Sequence, residues 1–182
     1  MDKEKQTQEV GKMIDGWLDE IDSEPDVVNW GGDSRIQAID AIIDSFVEIA
    51  IVGLDKKPDQ WNDNLLQEVM FSRFMLLLEA DEKTKEMYQT IPFALKKLFK
   101  YLQKQGIIKN GQHLVDWVNV NADQLQSLYN PKFDKFYRRL FDDMRRSGIN
   151  TSDKEAVDKF TKNYLNVHPE LGIDLYKDDS KD

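Results

Sequence analysis

Two stretches over a hundred residues apart repeat one spacing of apolar residues, and that spacing restricts what the chain can become. Val10, Met13, Ile14, Trp17, Leu18 and Ile21 occupy positions i, i+3, i+4, i+7, i+8 and i+11. Phe133, Phe136, Tyr137, Leu140, Phe141 and Met144 occupy the same register. At 3.6 residues per turn these positions fall on one side of a helix, whereas a half-buried strand needs alternation by two. Strand-like character is confined to the fragments "GIIK" and "VVNW". No repeat of fixed period and no run of heptads occurs, so a coiled coil is not expected. The expectation is an all-α chain: a single globular domain of roughly six to eight helices over residues 1–176, followed by an acidic flexible tail at 177–182.

Punctuation residues place the helix ends. Pro25 and the pair Gly31–Gly32 predict a loop after the first helix, in which "WGGD" reads as a turn because no strand precedes it. Ser34 with Gln37 predicts a capping box for a second, more apolar helix that Gly53 ends. Pro58 fits the first turn of a third, running through Leu65, Leu66, Val69, Phe74 and Leu78. Thr90 and Pro92 are expected to start the segment "FALKKLFKYLQKQG", and Gly106 to stop it. The following helix is expected to divide near Asn121, with that side chain capping a second piece. Asn130–Pro131 predicts a cap and N1 for the helix that Gly148 closes, and Ser152 with Glu155 predicts a further capping box.

Length and composition narrow the function classes. A chain of 182 residues can bury a sizeable core, and nine Phe, six Tyr and four Trp argue for a folded state. With no cysteine, disulfides, iron–sulfur clusters, thiolate zinc sites and a Cys nucleophile are excluded. The opening "MDKEKQTQEV" carries no apolar signal core, and "SFVEIAIVGL" is too short to span a bilayer, so a cytoplasmic setting is expected. Neither cofactor nor metal is expected. His113 and His168 lie in different predicted elements without a helical ligand partner, and His113 with Asp116 reads as a cap or surface bond. Asp142 and Asp143 point about 100° apart on a helix and are poorly placed to share one substrate atom. Without a phosphate loop, a dinucleotide fingerprint or a Glu-x-x-His pair, catalysis is not expected.

Charge supplies the candidate contacts. Residues 1–92 hold nine Lys/Arg against twenty-one Asp/Glu, residues 93–148 eleven against five, and residues 149–182 five against eight. The net charges are −12, +6 and −3 in a chain of −9. In the central stretch, Lys96, Lys97, Lys100 and Lys104 gather opposite an apolar arc of roughly 160° on the helical wheel. No acid on their own helix pairs with them; they are left to water, to the acidic N-terminal half or to an external anion. By contrast Arg138, Arg139, Arg145 and Arg146 sit three or four residues from Asp142 or Asp143, and mutual neutralisation is expected there. Trp30, in a glycine-rich loop, is expected either to staple that loop to the core or to meet a partner, with the staple favoured. The remaining aromatic stripes, including Phe133, Phe136, Tyr137 and Phe141, read as core.

Residues 61–128 resemble a helical module of uncharacterised bacterial proteins. The resemblance rests on the Trp-initiated "W…VMFSRFMLLL", the Pro-containing "IPFALKKLFKYLQKQG" and the short "LVDWVNVNADQLQSLY". It implies a bacterial helical domain and assigns no chemistry. Together these readings lead to the expectation of a non-catalytic cytoplasmic helical protein that binds another protein or associates with itself. The alternative is a nucleic-acid-associated protein using the four lysines. A membrane surface is not expected as a partner, because anionic lipid repels an acidic protein.

Overall fold

The structure, a computed structural model, describes residues 3–74, 83–150 and 153–175. Among them the chain is all-α, with nine α-helices. It divides into two compact units, Met1–Tyr129 and Asn130–Asp182, each with its own apolar cluster. The boundary falls at Asn130–Pro131, where the non-helical residues 127–130 give way to the next helix and the Asn130 side chain accepts from Lys132 N–H at 3.0 Å. The expected tail at 177–182, Leu78 and the capping serine Ser152 lie outside the described residues.

In the first unit, α1 (Lys3–Asp22) and the one-turn α2 (Pro25–Val28) lead through a glycine turn into α3 (Asp33–Glu48). Gly31 and Gly32 have φ of 144° and 87°, which only glycine adopts without strain. Gly32 itself is the N-cap of α3, two residues earlier than a Ser34 capping box would have it. The helix does not stop at Gly53 through a left-handed cap. It runs into a π-helical turn, Ile49–Gly53, closed by Leu54 N–H bonding to the Ile49 carbonyl at 2.9 Å.

Pro58 starts a 3-10 turn, Pro58–Gln60, rather than the next helix. α4 (Asp63–Glu68) begins after Asn62, whose side-chain oxygen accepts from Leu65 N–H at 3.1 Å, and it too continues as a π turn, Val69–Arg73. α5 (Lys85–Lys104) starts well before the expected Pro92, after Thr84, whose hydroxyl accepts from Met87 N–H at 3.2 Å. Pro92 costs the helix one backbone bond. Burial of Met87, Tyr88, Ile91 and Leu95 around it outweighs that loss. α6 (Gly111–Gln126) is continuous through Asn121, whose amide donates back to the Trp117 carbonyl at 2.8 Å instead of capping a new helix.

α5 is the centre of this unit and packs chiefly on α6 and α3. Gly111 allows the α5–α6 approach: a Cβ there would lie 2.7 Å from the Phe99 carbonyl oxygen. Phe46, Trp61 and Phe99 meet edge to face, with centroids 5.1–6.3 Å apart, and all three are buried. Trp61 also donates to the Lys56 carbonyl at 3.0 Å, so its one polar atom is satisfied.

The second unit consists of α7 (Pro131–Arg146), α8 (Lys154–Val167) and α9 (Pro169–Leu175). Gly148, at φ 70°, ends α7 as its position predicts. Asp153 caps α8, accepting from Glu155 and Ala156 N–H. The buried centre is Phe136, Leu140, Met144 and Tyr164. Tyr137 and Phe141, which share the sequence spacing of that core, are instead 46% and 37% exposed. The two other helices, α8 and α9, cover only a narrow strip of α7, so the flank of its apolar face stays in solvent.

Candidate functional site

The four lysines of α5 do not form one equivalent row. Lys100 and Lys104 are exposed and Lys96 is half-buried, but Lys97 is taken up by the fold. Its ammonium pairs with Glu24 and lies 2.8 Å from both carboxylate oxygens of Asp26, and its side chain is only 11% exposed. Desolvation opposes its charge, yet the two carboxylates raise its pKa above the usual lysine value, and the lysine in turn lowers that of Asp26. The acidic N-terminal half therefore reaches the lysine face at this point, clamping α2 to α5. A second link follows near the helix end, where Gln105 donates to Glu20 at 3.1 Å.

Trp30 is placed beside the same helix. Its indole stacks on Phe93 at 3.9 Å with the rings 9° from parallel, and the Arg35 guanidinium sits over it at 5.7 Å. Arg35 also donates to the Trp30 carbonyl at 3.0 Å and to Glu86 at 2.9 Å. The glycine turn is thus tied to α5 by a layered Phe–Trp–Arg contact. The indole N–H is buried without an acceptor.

His113 bonds to Asp63 at 2.8 Å, connecting α6 to the start of α4; the expected partner, Asp116, receives Gln112 instead. His168 approaches Glu170 at 3.3 Å in the other unit. Among the described residues no group of three or more His, Asp or Glu side chains is placed to hold a metal ion. No described helix is long and apolar enough to cross a membrane.

A different acidic feature lies between α1 and α3. One carboxylate oxygen each of Asp22 and Asp40 is buried without a donor, and the two carboxyls face each other. Burial, then the charge of Asp22, pushes Asp40 up to about 6, and burial raises Asp22 and Asp44 as well. Below about pH 6 a proton on Asp40 can be donated to the Asp22 carboxylate. Adjacent-residue motifs in the sequence do not reveal this pair, because it forms only when two helices meet.

The second unit carries the feature that sequence reasoning missed. A groove of about 420 Å³ between α7 and α9 has Phe136, Leu171 and Leu175 as its floor and Lys132, Lys135, Arg139 and Asp174 on its rim. Asp142 and Asp143 do pair on their own helix, with Arg145 and Arg146 at 3.6 Å. Asp143 also accepts from the Tyr164 hydroxyl at 2.9 Å, and Arg139 stands beside that hydroxyl. The i, i+3, i+7 spacing of Lys132, Lys135 and Arg139 is the sequence signal for the rim. The floor from α9 has none, since it is a tertiary contact. No protein-family model matches this chain, and neither the curated proteins nor the solved structures contain a match to it.

Proposed function

We propose that the chain is a non-catalytic protein-binding module, with α7 as the binding element. One observation carries this reading: Tyr137 and Phe141, one turn apart on α7, are 46% and 37% exposed and stand among arginines. Exposed aromatics beside arginine are the composition of protein interfaces, where they bury large rigid surfaces at low entropic cost. The bacterial, cytoplasmic setting expected from the sequence belongs to the same proposal. The nucleic-acid alternative is weaker on α5, because Glu24 and Asp26 already compensate Lys97, the central one of its lysines.

A photo-crosslinking phenylalanine analogue at Phe141, in cells that naturally make the chain, tests the reading. A discrete heavier protein adduct at Phe141, absent when the analogue replaces the exposed Val120 on α6, is the expected result. An adduct made of two copies identifies self-association. No adduct, or the same adducts at both positions, overturns the proposal.

A further inference from the structure

We infer that the meeting of Asp22 and Asp40 is a proton-operated latch, which fastens the last turn of α1 to α3 while Asp40 carries a proton and lets that turn open when the proton leaves. The inference concerns the first unit and is independent of what α7 binds.

The geometry is that of two acids placed to share a hydrogen bond. α1 packs along α3, and there one carboxylate oxygen of each residue is buried without a hydrogen-bond partner. Carboxylates only accept, so two ionised side chains leave both oxygens unanswered and repel each other. One proton turns Asp40 into a donor toward Asp22, and the repulsion becomes a hydrogen bond.

Among the described residues, no cation stands in for that proton. On α1, Asp19 adds its negative charge beside Asp22. On α3, Asp44 does the same beside Asp40, and itself faces Asp15 of α1. The nearest cation along α1, Lys12, lies ten residues from Asp22, about 15 Å of helix. Arg35 of α3 is bound to Glu86. From the neighbouring elements, Lys97 of α5 is held by Glu24 and Asp26 of α2, and Glu20 turns to Tyr101 and Gln105. The π turn Ile49–Gly53 carries no charged residue.

Position decides which part responds. Asp22 is the last residue of α1, whereas Val10, Ile14 and Trp17 anchor the earlier turns in the apolar core. Opening of the last turn bares Ile21, which is fully buried when the seam is closed. Asp40 keeps its proton up to about pH 6 in the closed seam and only to 3.8 once released. Opening is therefore about tenfold rarer at about pH 5 than at about pH 7.5.

Hydrogen exchange of the full chain at those two pH values, in water and in urea well below the unfolding transition, tests the inference. Rates are corrected for the intrinsic pH dependence of amide exchange. The amides of Leu18–Asp22 are expected to open about tenfold more often at the higher pH, with little dependence on urea, because only one turn unwinds. Asp40→Asn supplies a permanent donor to Asp22 and is expected to hold opening at its acid level at both pH values. Asp22→Asn reverses donor and acceptor and gives the same result, so it serves if Asp40→Asn loses its helical circular dichroism. Equal opening at the two pH values, or a pH effect that survives in either folded variant, overturns the inference. So does a urea dependence as steep as that of the buried α5 amides, which would show that the last turn opens only with the whole unit.

Discussion

The two units of this chain use their cations in opposite ways. Met1–Tyr129 holds fourteen Lys/Arg and twenty-three Asp/Glu, and so carries the entire net charge of −9; Asn130–Asp182 balances eleven against eleven. In the acidic unit, Lys97 and Arg35 are drawn inward to carboxylates, where they tie α2 and the glycine turn to α5. In the neutral unit, Lys132, Lys135 and Arg139 stand at the edge of an apolar groove. A lysine-rich helix in an acidic unit finds its anions at home. On α7 the cations alternate with acids on their own helix and border an apolar groove, so the contrast lies in what α7 leaves exposed, the rings of Tyr137 and Phe141.

The units differ as much in core size, and the largest expected effects probe that. All four tryptophans lie in the first unit, so tryptophan fluorescence reports its unfolding alone. Phe46→Ala empties a buried site between Trp61 and Phe99 and is expected to cost about 3–5 kcal/mol. In urea, the tryptophan transition then moves to lower concentration. Leu140→Ala, at about 2–5 kcal/mol, is expected to unfold the second unit outright, because so small a unit has little stability to lose. Helical circular dichroism falls while the tryptophan transition stays in place. If either variant moves both transitions together, the two units unfold as one and the comparison fails.

The next effect tests the internal clamp. Lys97→Ala leaves Glu24 and Asp26 facing each other without their shared cation, and a loss of about 1–2 kcal/mol from the first unit is expected, reduced by the exposure of Asp26. Lys100→Ala, on an exposed position of the same helix, is expected to change the urea midpoint far less. Equal effects would show that α5 uses its lysines alike.

The smallest effect concerns pH and reverses the usual carboxylate behaviour. Asp40, raised to about 6 in the fold, holds a proton that the unfolded chain releases near its ordinary value of 3.8. Its contribution to stability is therefore present below 3.8 and is lost as the pH rises through 6. Asp22 and Asp44 act in the same direction, while Asp26, lowered by Lys97, contributes above its ordinary value and loses that contribution in acid. Asp40→Asn supplies a permanent donor to Asp22. The variant is expected to gain on the order of 1 kcal/mol at pH 7.5 relative to the parent and to flatten the decline between pH 4 and 6.5, read from tryptophan fluorescence in urea. A variant that is less stable at pH 7.5, with the slope unchanged, would show that the pair shares no proton.

Much of the fold was legible because amphipathic spacing and caps are local. The helical class, the Asn130–Pro131 start and the Gly148 stop follow from a few neighbouring residues. The failures share one cause, tertiary packing overriding a local signal. Pro92 looks like a start, but buried neighbours on both sides carry α5 through it; Asn121 looks like a cap, but its amide turns back to Trp117. Lys97 lacks a partner on its own helix and finds two more than seventy residues away in sequence. The groove was hidden for a related reason. Arginine–aspartate spacing on α7 reads as self-neutralised, and only the arrival of Leu171 and Leu175 turns the other edge of that helix into a wall. Tyr137 and Phe141 fit the core spacing, and only the narrowness of the unit reveals that they are exposed.

The proposal that binding belongs to α7 and not to the lysine face of α5 is tested most directly by placing the photo-crosslinking analogue at Phe141 and, in a second variant, at Lys100, in cells that naturally make the chain. The account predicts a discrete protein adduct from Phe141 and none from Lys100. An adduct from Lys100, with none from Phe141, would contradict it.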